Sequence, residues 1–286
     1  AASSRMRPEQ SAAWSIRRRP RNPAAPVTRI FIGASCYRFG AVETPWKVAL
    51  VTGAGTGIGR AIAERLATDG LSIGFATHGR GDEERAVYEE LATRGPVHWV
   101  DGDLSDPAVP ARLVHECSEH FGRLDVLVNN AGITVSKPAL ELTADDFDAI
   151  FAVDVRAAFL AAQAAAKAMG EQGGVIVNVT SVHEHVPRPG FALYAPAKAA
   201  LGMLTRSLAL ELAPAIRVVS VAPGAIEVDR NEADAQRIRP EIPLERAGRP
   251  EEVASMVSWL VSDEAQYTTG ASFLLDGGLA QQVVES

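Results

Sequence analysis

The 286-residue sequence predicts an α/β fold: a doubly wound parallel sheet of about seven strands, covered by helices on both faces, in a single domain. Two observations carry that reading. Short β-branched apolar runs alternate with helical stretches, which is the pattern of a sheet buried on both sides. A glycine-rich turn follows the first run and opens the first helix. At 47% hydrophobic content the chain has ample apolar side chains for one large core.

The elements follow in order. Lys47 to Thr52 reads as the first strand, and Ile58 to Thr68 as the first helix. Strand signals recur at Leu71 to Ala76, Val97 to Val100, Leu124 to Val128, Val175 to Thr180, Arg217 to Val221 and Ser272 to Leu275. Between them, Asp82 to Arg94 is charged and helical, and Ala108 to Phe121 is amphipathic. Thr143 begins a helix with Asp145 and Asp146 in its first turn, as a capped N-terminus prefers. A break is expected before a longer helix ending at Met169. Ala195 to Ala213 and Pro250 to Val261 complete the helices. Right-handed crossovers between such strands give double winding, with ligands bound beyond the strands' carboxyl ends.

Charge is unevenly distributed. Residues 1–41 hold eight arginines against Glu9, about +7 in all. The whole chain carries −7, so the remainder is near −14. An acidic body argues against nucleic acid as a partner. The basic stretch is expected to be a disordered extension, or translated upstream sequence, with the catalytic domain over 42–286. An Arg-rich transit peptide is the competing reading. Arginine outnumbers lysine 24 to 4, the bias of a GC-rich bacterial genome. No apolar run reaches the ~18 residues of a membrane span, so no membrane partner is expected. Cys36 and Cys117 form no pattern, which fits reduced cytoplasm, and no Cys/His cluster has metal-ligand spacing.

Thr52-Gly53-Ala-Gly-Thr-Gly57-Ile58-Gly59 is the turn between first strand and first helix. Its glycines let the backbone turn tightly and approach a pyrophosphate at the helix N-terminus. That context predicts a Rossmann-type nucleotide site. An acid near the end of the second strand would bind ribose hydroxyls and favour NAD. Here the strand ends Phe75-Ala-Thr-His-Gly-Arg80, and the first acid, Asp82, comes late. Thr77, His78 and Arg80 suit a 2′-phosphate, so NADP(H) is expected ahead of NAD(H). Farther on, Tyr194 and Lys198 stand four residues apart, on one helical face. An ammonium beside a phenol favours the phenolate, as reversible carbonyl–alcohol chemistry needs.

Together these motifs resemble the short-chain dehydrogenases/reductases, over roughly Thr44 to Ala280. Asp103-Leu104 sits where that family contacts the adenine. Asn129-Asn130-Ala131-Gly132 follows the fourth strand, and Ser181 ends the fifth, thirteen residues before Tyr194. Pro223-Gly224, with Ile226, follows the sixth strand; Arg246 to Ala254 and Thr269 to Gly278 resemble the family's C-terminal segments. The resemblance implies that Tyr194 exchanges the proton with the substrate oxygen. It implies that Ser181 hydrogen-bonds the same oxygen, and that Lys198 also holds the nicotinamide ribose. It implies a homotetramer, or a homodimer, through the long helices and last strand.

Two departures stand out. Asp154 occupies the place of the family's helix asparagine and adds a negative charge near Lys198. Val228 replaces a threonine that contacts the nicotinamide amide. Pro196 between Tyr194 and Lys198 requires a helix that has only just begun. His183, Glu184 and His185, beside the reacting centre, suit a sugar, polyol or small hydroxyketone, with His183 as the substrate contact. Capping or subunit contact is the alternative for His183 and Glu184. The charged segment Asp229 to Glu245 is expected to be a lid. A 3-oxoacyl-thioester reductase shares most of these motifs, and a weakly catalytic or non-catalytic cofactor-binding protein would account for the two departures.

Overall fold

The computed structural model describes residues 48–228 and 239–281. Expectations for residues 1–41 and for most of the 229–245 lid lie outside them. Seven parallel strands form one sheet in the order β3-β2-β1-β4-β5-β6-β7. They are β1 Val48–Thr52, β2 Ser72–Thr77, β3 Val97–Asp101, β4 Val126–Asn129, β5 Gly174–Val179, β6 Ile216–Pro223 and β7 Ser272–Leu275. The winding direction reverses between β1 and β4, where Ala49, Leu50 and Val51 pair with Val126, Leu127 and Val128. A crevice opens at that reversal.

The helices are α1 Gly57–Thr68, α2 Asp82–Ala92, α3 Val109–Phe121, α4 Ala144–Phe151, α5 Ala158–Met169, α6 Tyr194–Leu212 and α7 Pro250–Val261. Strand residues alternate between two cores, as the period of two dictates. Ala49, Val51, Val126 and Val128 face a core with Ile62, Leu66, Phe75 and Leu260. Val48, Leu50 and Leu127 face another with Leu113, Cys117, Ala165 and Ile176.

Boundaries follow local chemistry. Thr143 caps α4 by accepting from the Asp146 amide at 3.1 Å, while Asp146 accepts from the Thr143 amide at 3.0 Å. Lys137, 2.8 Å away, and this cap hold the Asp146 carboxyl down at about 2. Pro250 starts α7, whose entry is tied by Arg246 to Glu252 at 2.7 Å.

The expected break between α4 and α5 is instead one turn of π-helix, Ala152–Ala157. This joins Ala144–Gln172 into a run long and apolar enough, by length and composition, to cross a membrane, which the sequence reading did not anticipate. Its α5 part packs into the core through Ala158, Ala161, Ala162, Ala165 and Met169. Pro196 is tolerated because α6 starts at Tyr194, two residues earlier, where a missing N–H costs no helical bond.

Candidate active site

The phosphate turn is built against β4. A Cβ on Gly59 would fall 2.1 Å from the Gly53 carbonyl oxygen and 2.4 Å from Asn130 Nδ2, so only glycine fits. Gly53 and Gly57 adopt φ of 65° and 53°, the left-handed region that glycine enters freely. Thr52 Oγ1 accepts from the amides of Asn130 and Ala131 at 3.0 and 3.1 Å. Asn130 Nδ2 donates to the Thr52 carbonyl at 2.9 Å. Thr52 and Asn130 therefore lace the turn to β4, shaping the cradle with their own polar groups. Val228 closes one side, 3.2 Å from a Cβ placed on Gly57. The bare backbone and the N-terminus of α1 fit the pyrophosphate of a dinucleotide.

At the β2 end, two of the three residues expected to meet a 2′-phosphate also have partners within the protein. Thr77 Oγ1 donates to the Gly79 carbonyl at 2.5 Å and accepts from the Trp99 indole at 2.7 Å. Arg80 pairs with Asp101 at 2.6 Å and lies over the Trp99 ring at 5.2 Å. His78 is exposed. Sequence reasoning missed Glu84, in the first turns of α2. Its Cγ lies 2.8 Å from a Cβ placed on Gly55, within the phosphate turn. Asp103 is exposed beyond β3; the Ser105 amide, donating to it at 2.8 Å, lowers its pKa. Leu104 follows it, half-buried. Past β6, Gly224 is pressed against the Asp276 backbone, and Ile226 is buried after Pro223.

The chemical centre lies beyond β5. Lys198 Nζ stands 5.5 Å from the Tyr194 ring centre and 3.0 Å from Asp154 Oδ2. It also reaches the Val179 carbonyl at 3.4 Å. Asp154 Oδ1 accepts from the Ile133 amide at 2.8 Å. The π turn adds a residue to the helix at this point and accompanies the burial of Asp154. Gly132 adjoins the pair: a Cβ there would sit 3.0 Å from Asp154 Oδ2 and 3.1 Å from Lys198 Nζ. Ser181 is buried at the end of β5, its hydroxyl accepting from the His183 amide at 3.2 Å.

His183 stacks on Phe191 at 5.0 Å and meets the Tyr194 ring edge-on at 6.1 Å. Burial keeps its imidazole below the ordinary value, hence neutral near pH 7. Nδ1 lies 2.9 Å from the Val186 carbonyl, which can only accept, so Nδ1 carries the proton and Nε2 is an acceptor. Phe191, not foreseen, forms an apolar wall beside Tyr194 at 5.8 Å. Glu184 and His185 do not join this group: Glu184 accepts from Ser272 on β7 at 3.0 Å, with His185 3.5 Å from the same hydroxyl. No cluster of three or more potential metal ligands occurs among the described residues.

A glycine cradle at the sheet's reversal, with a phenol and an ammonium facing each other beyond the neighbouring strand, defines a dinucleotide-dependent oxidoreductase. A family model described as enoyl-(acyl carrier protein) reductase matches residues 53–280. The uncharacterized oxidoreductase YohF of Escherichia coli (strain K12) is 42% identical over 240 residues, 81% of this chain and 95% of that protein. Glucose 1-dehydrogenase 2 of Bacillus subtilis (strain 168) is 37% identical over 245 residues, 82% of this chain and 94% of that one. The crystal structure of acetoin dehydrogenase from Enterobacter cloacae superposes with a TM-score of 0.78 at 44% identity, covering 84% of this chain and 98% of that one. The chain belongs to the short-chain dehydrogenase/reductase family. It is an oxidoreductase that interconverts carbonyls and alcohols on small molecules with a nicotinamide cofactor.

Proposed function

We propose that the substrate is a small vicinal hydroxyketone or diol of the acetoin type, and that Tyr194 is its general acid/base. The neutral His183 carries this reading. An acceptor nitrogen beside the phenol suits a second hydroxyl next to the reacting carbon, and Phe191 suits a short alkyl group. The names of the acetoin and glucose dehydrogenases among the similar proteins point the same way.

When bound, the nicotinamide ring supplies the hydride acceptor or donor. Tyr194 takes the alcohol proton during oxidation and returns it during reduction. Ser181 donates a hydrogen bond to the same oxygen and offsets its developing charge. Lys198 stabilises the phenolate. Gly132, beside the Asp154–Lys198 pair, leaves the space that keeps these groups together.

For the cofactor, the expected preference for NADP(H) rested on Thr77, His78 and Arg80. Thr77 and Arg80 have protein partners, and Glu84 lies across the loop after β2, its Cγ against Gly55 and its Oε2 2.5 Å from a Cβ placed on Gly81. A carboxylate accepts from a ribose 2′-hydroxyl and repels a 2′-phosphate, which supports NAD(H).

For assembly, a second copy suits the outer face of α4, α5 and α6. That face has a cavity of about 980 Å³ lined by Phe151, Val155, Phe159 and Met203, and exposes Phe147. A homotetramer or homodimer through it is expected by size-exclusion chromatography. A cytoplasmic setting fits Cys117, a buried free thiol.

The test is initial rate on acetoin, diacetyl, glucose and acetoacetyl thioester, each with NAD(H) and NADP(H). Highest kcat/KM on acetoin or diacetyl supports this reading. Thioester preference moves it to acyl reduction. Cofactor binding with no turnover moves it to a non-catalytic binder.

A further inference from the structure

Glu184 lies three residues after Ser181, yet its carboxylate turns away from the substrate side. Its side chain is 2% exposed and bridges three elements of the fold. Oε2 accepts from Thr180 Oγ1 at 2.8 Å, at the end of β5, and from Ser272 Oγ at 3.0 Å, in β7. Oε1 accepts from Arg206 on α6 at 3.3 Å. The same oxygen presses on the α6 backbone: a Cβ on Gly202 would lie 2.1 Å from it.

Those attachments have one geometric consequence. Thr180 immediately precedes Ser181, while Gly202 and Arg206 follow Lys198 on the helix that begins at Tyr194. The carboxylate is clamped between the strand end that presents the serine hydroxyl and the helix that presents the phenol and ammonium. We infer that Glu184 is a positioning residue, fixing the β5 end against α6 so that Ser181 and Tyr194 converge on one substrate oxygen. This rests on the proposed roles of Ser181 and Tyr194. Hydrogen bonds to a buried carboxylate are stronger than neutral ones, and reactions of this kind are sensitive to displacements of an ångström.

Glu184→Gln keeps the size and one acceptor oxygen but places an amide N–H₂ toward Arg206 or toward the two hydroxyls. Gly202→Ala tests the same contact from the other side. In an unobstructed helix that change stabilises; here the methyl displaces the carboxylate. Both variants are assayed on the best substrate of the panel, per folded molecule, with thermal unfolding in parallel. Each should lower kcat by about 10- to 100-fold, with KM for the cofactor within about twofold. Glu184→Asp, which keeps the charge on a shorter arm, should recover part of the Glu184→Gln loss. Lowered thermal stability with kcat unchanged in both variants overturns the positioning role. A parent chain inactive on the whole panel, or a Tyr194→Phe variant as active as the parent, overturns the underlying reading and this one with it.

Discussion

The Lys198 ammonium lies 3.0 Å from Asp154 Oδ2, with the two side chains 4% and 0% exposed. The ammonium proposed to stabilise a Tyr194 phenolate is thus paired with a carboxylate at closer range. In a poorly solvated site such a neighbour weakens the ammonium's pull on the phenol. Asp154→Asn keeps an oxygen able to accept from the Ile133 amide and removes the negative charge. Turnover in the oxidation direction should rise by about two- to tenfold, at most ~1.4 kcal/mol of barrier. The rise should be largest at the acid end of the pH–rate profile. An unchanged profile would make Asp154 a neutral replacement.

Asp154→Ala should behave differently, because it takes away both the carboxylate beside the buried ammonium and the acceptor of the Ile133 amide. Removing one member of a buried ion pair costs about 3–5 kcal/mol. Urea unfolding monitored by circular dichroism should show that loss, and Asp154→Asn should lose less. Equal stability of all three proteins would contradict the pair's structural weight.

Gly59→Ala tests the cradle. The added methyl would meet the Gly53 carbonyl oxygen at 2.1 Å, and backbone cannot yield as a flexible side chain would. Overpacking of this sort costs about 1–3 kcal/mol, so cofactor affinity should fall by about tenfold or more in a fluorescence titration. Unchanged affinity would remove the pyrophosphate from this turn.

Glu84→Gln tests cofactor choice. Losing the carboxylate should raise the ratio of kcat/KM for NADP(H) over NAD(H) by about tenfold, a modest Coulomb effect for a part-solvated charge. A ratio that stays constant, or a wild-type preference for NADP(H), would refute the role given to Glu84.

Cys117 supplies a pH signature. Burial pushes its thiol up to about 12 from a reference of 9.0. Raised in the folded state, the group contributes stability fully below pH 9, and that contribution is lost as pH rises toward 12. The slope is about 1.4 kcal/mol per pH unit in that window. Cys117→Ala should flatten the alkaline loss, read as urea midpoints from pH 8 to 10.5, and an equally steep loss in the variant would dismiss it.

What was legible in the sequence was what local chemistry decides. The α7 boundaries follow from Pro250 and the acids behind it, and β7 from its apolar run between turn residues. The Tyr194–Lys198 face follows from helical spacing. The π turn was not legible, because Ala152–Ala157 has ordinary helix composition and its extra residue accompanies contacts from Asp154 to Lys198 and Ile133. Glu84 escaped notice because the acid was sought at the end of β2 itself, and a helix brings it back over Gly55 from the following turn. The direction of Glu184 was likewise hidden: Ser-Val-His-Glu-His forms a tight turn whose side chains diverge, and only the packing of Ser272 and Gly202 decides which one points inward.

The most direct measurement is the steady-state rate of Tyr194→Phe on acetoin or diacetyl, with cofactor affinity measured alongside. If Tyr194 moves the proton, kcat should fall by at least about 10²-fold while cofactor affinity changes little. A variant that keeps the parent's kcat would contradict the account at its centre.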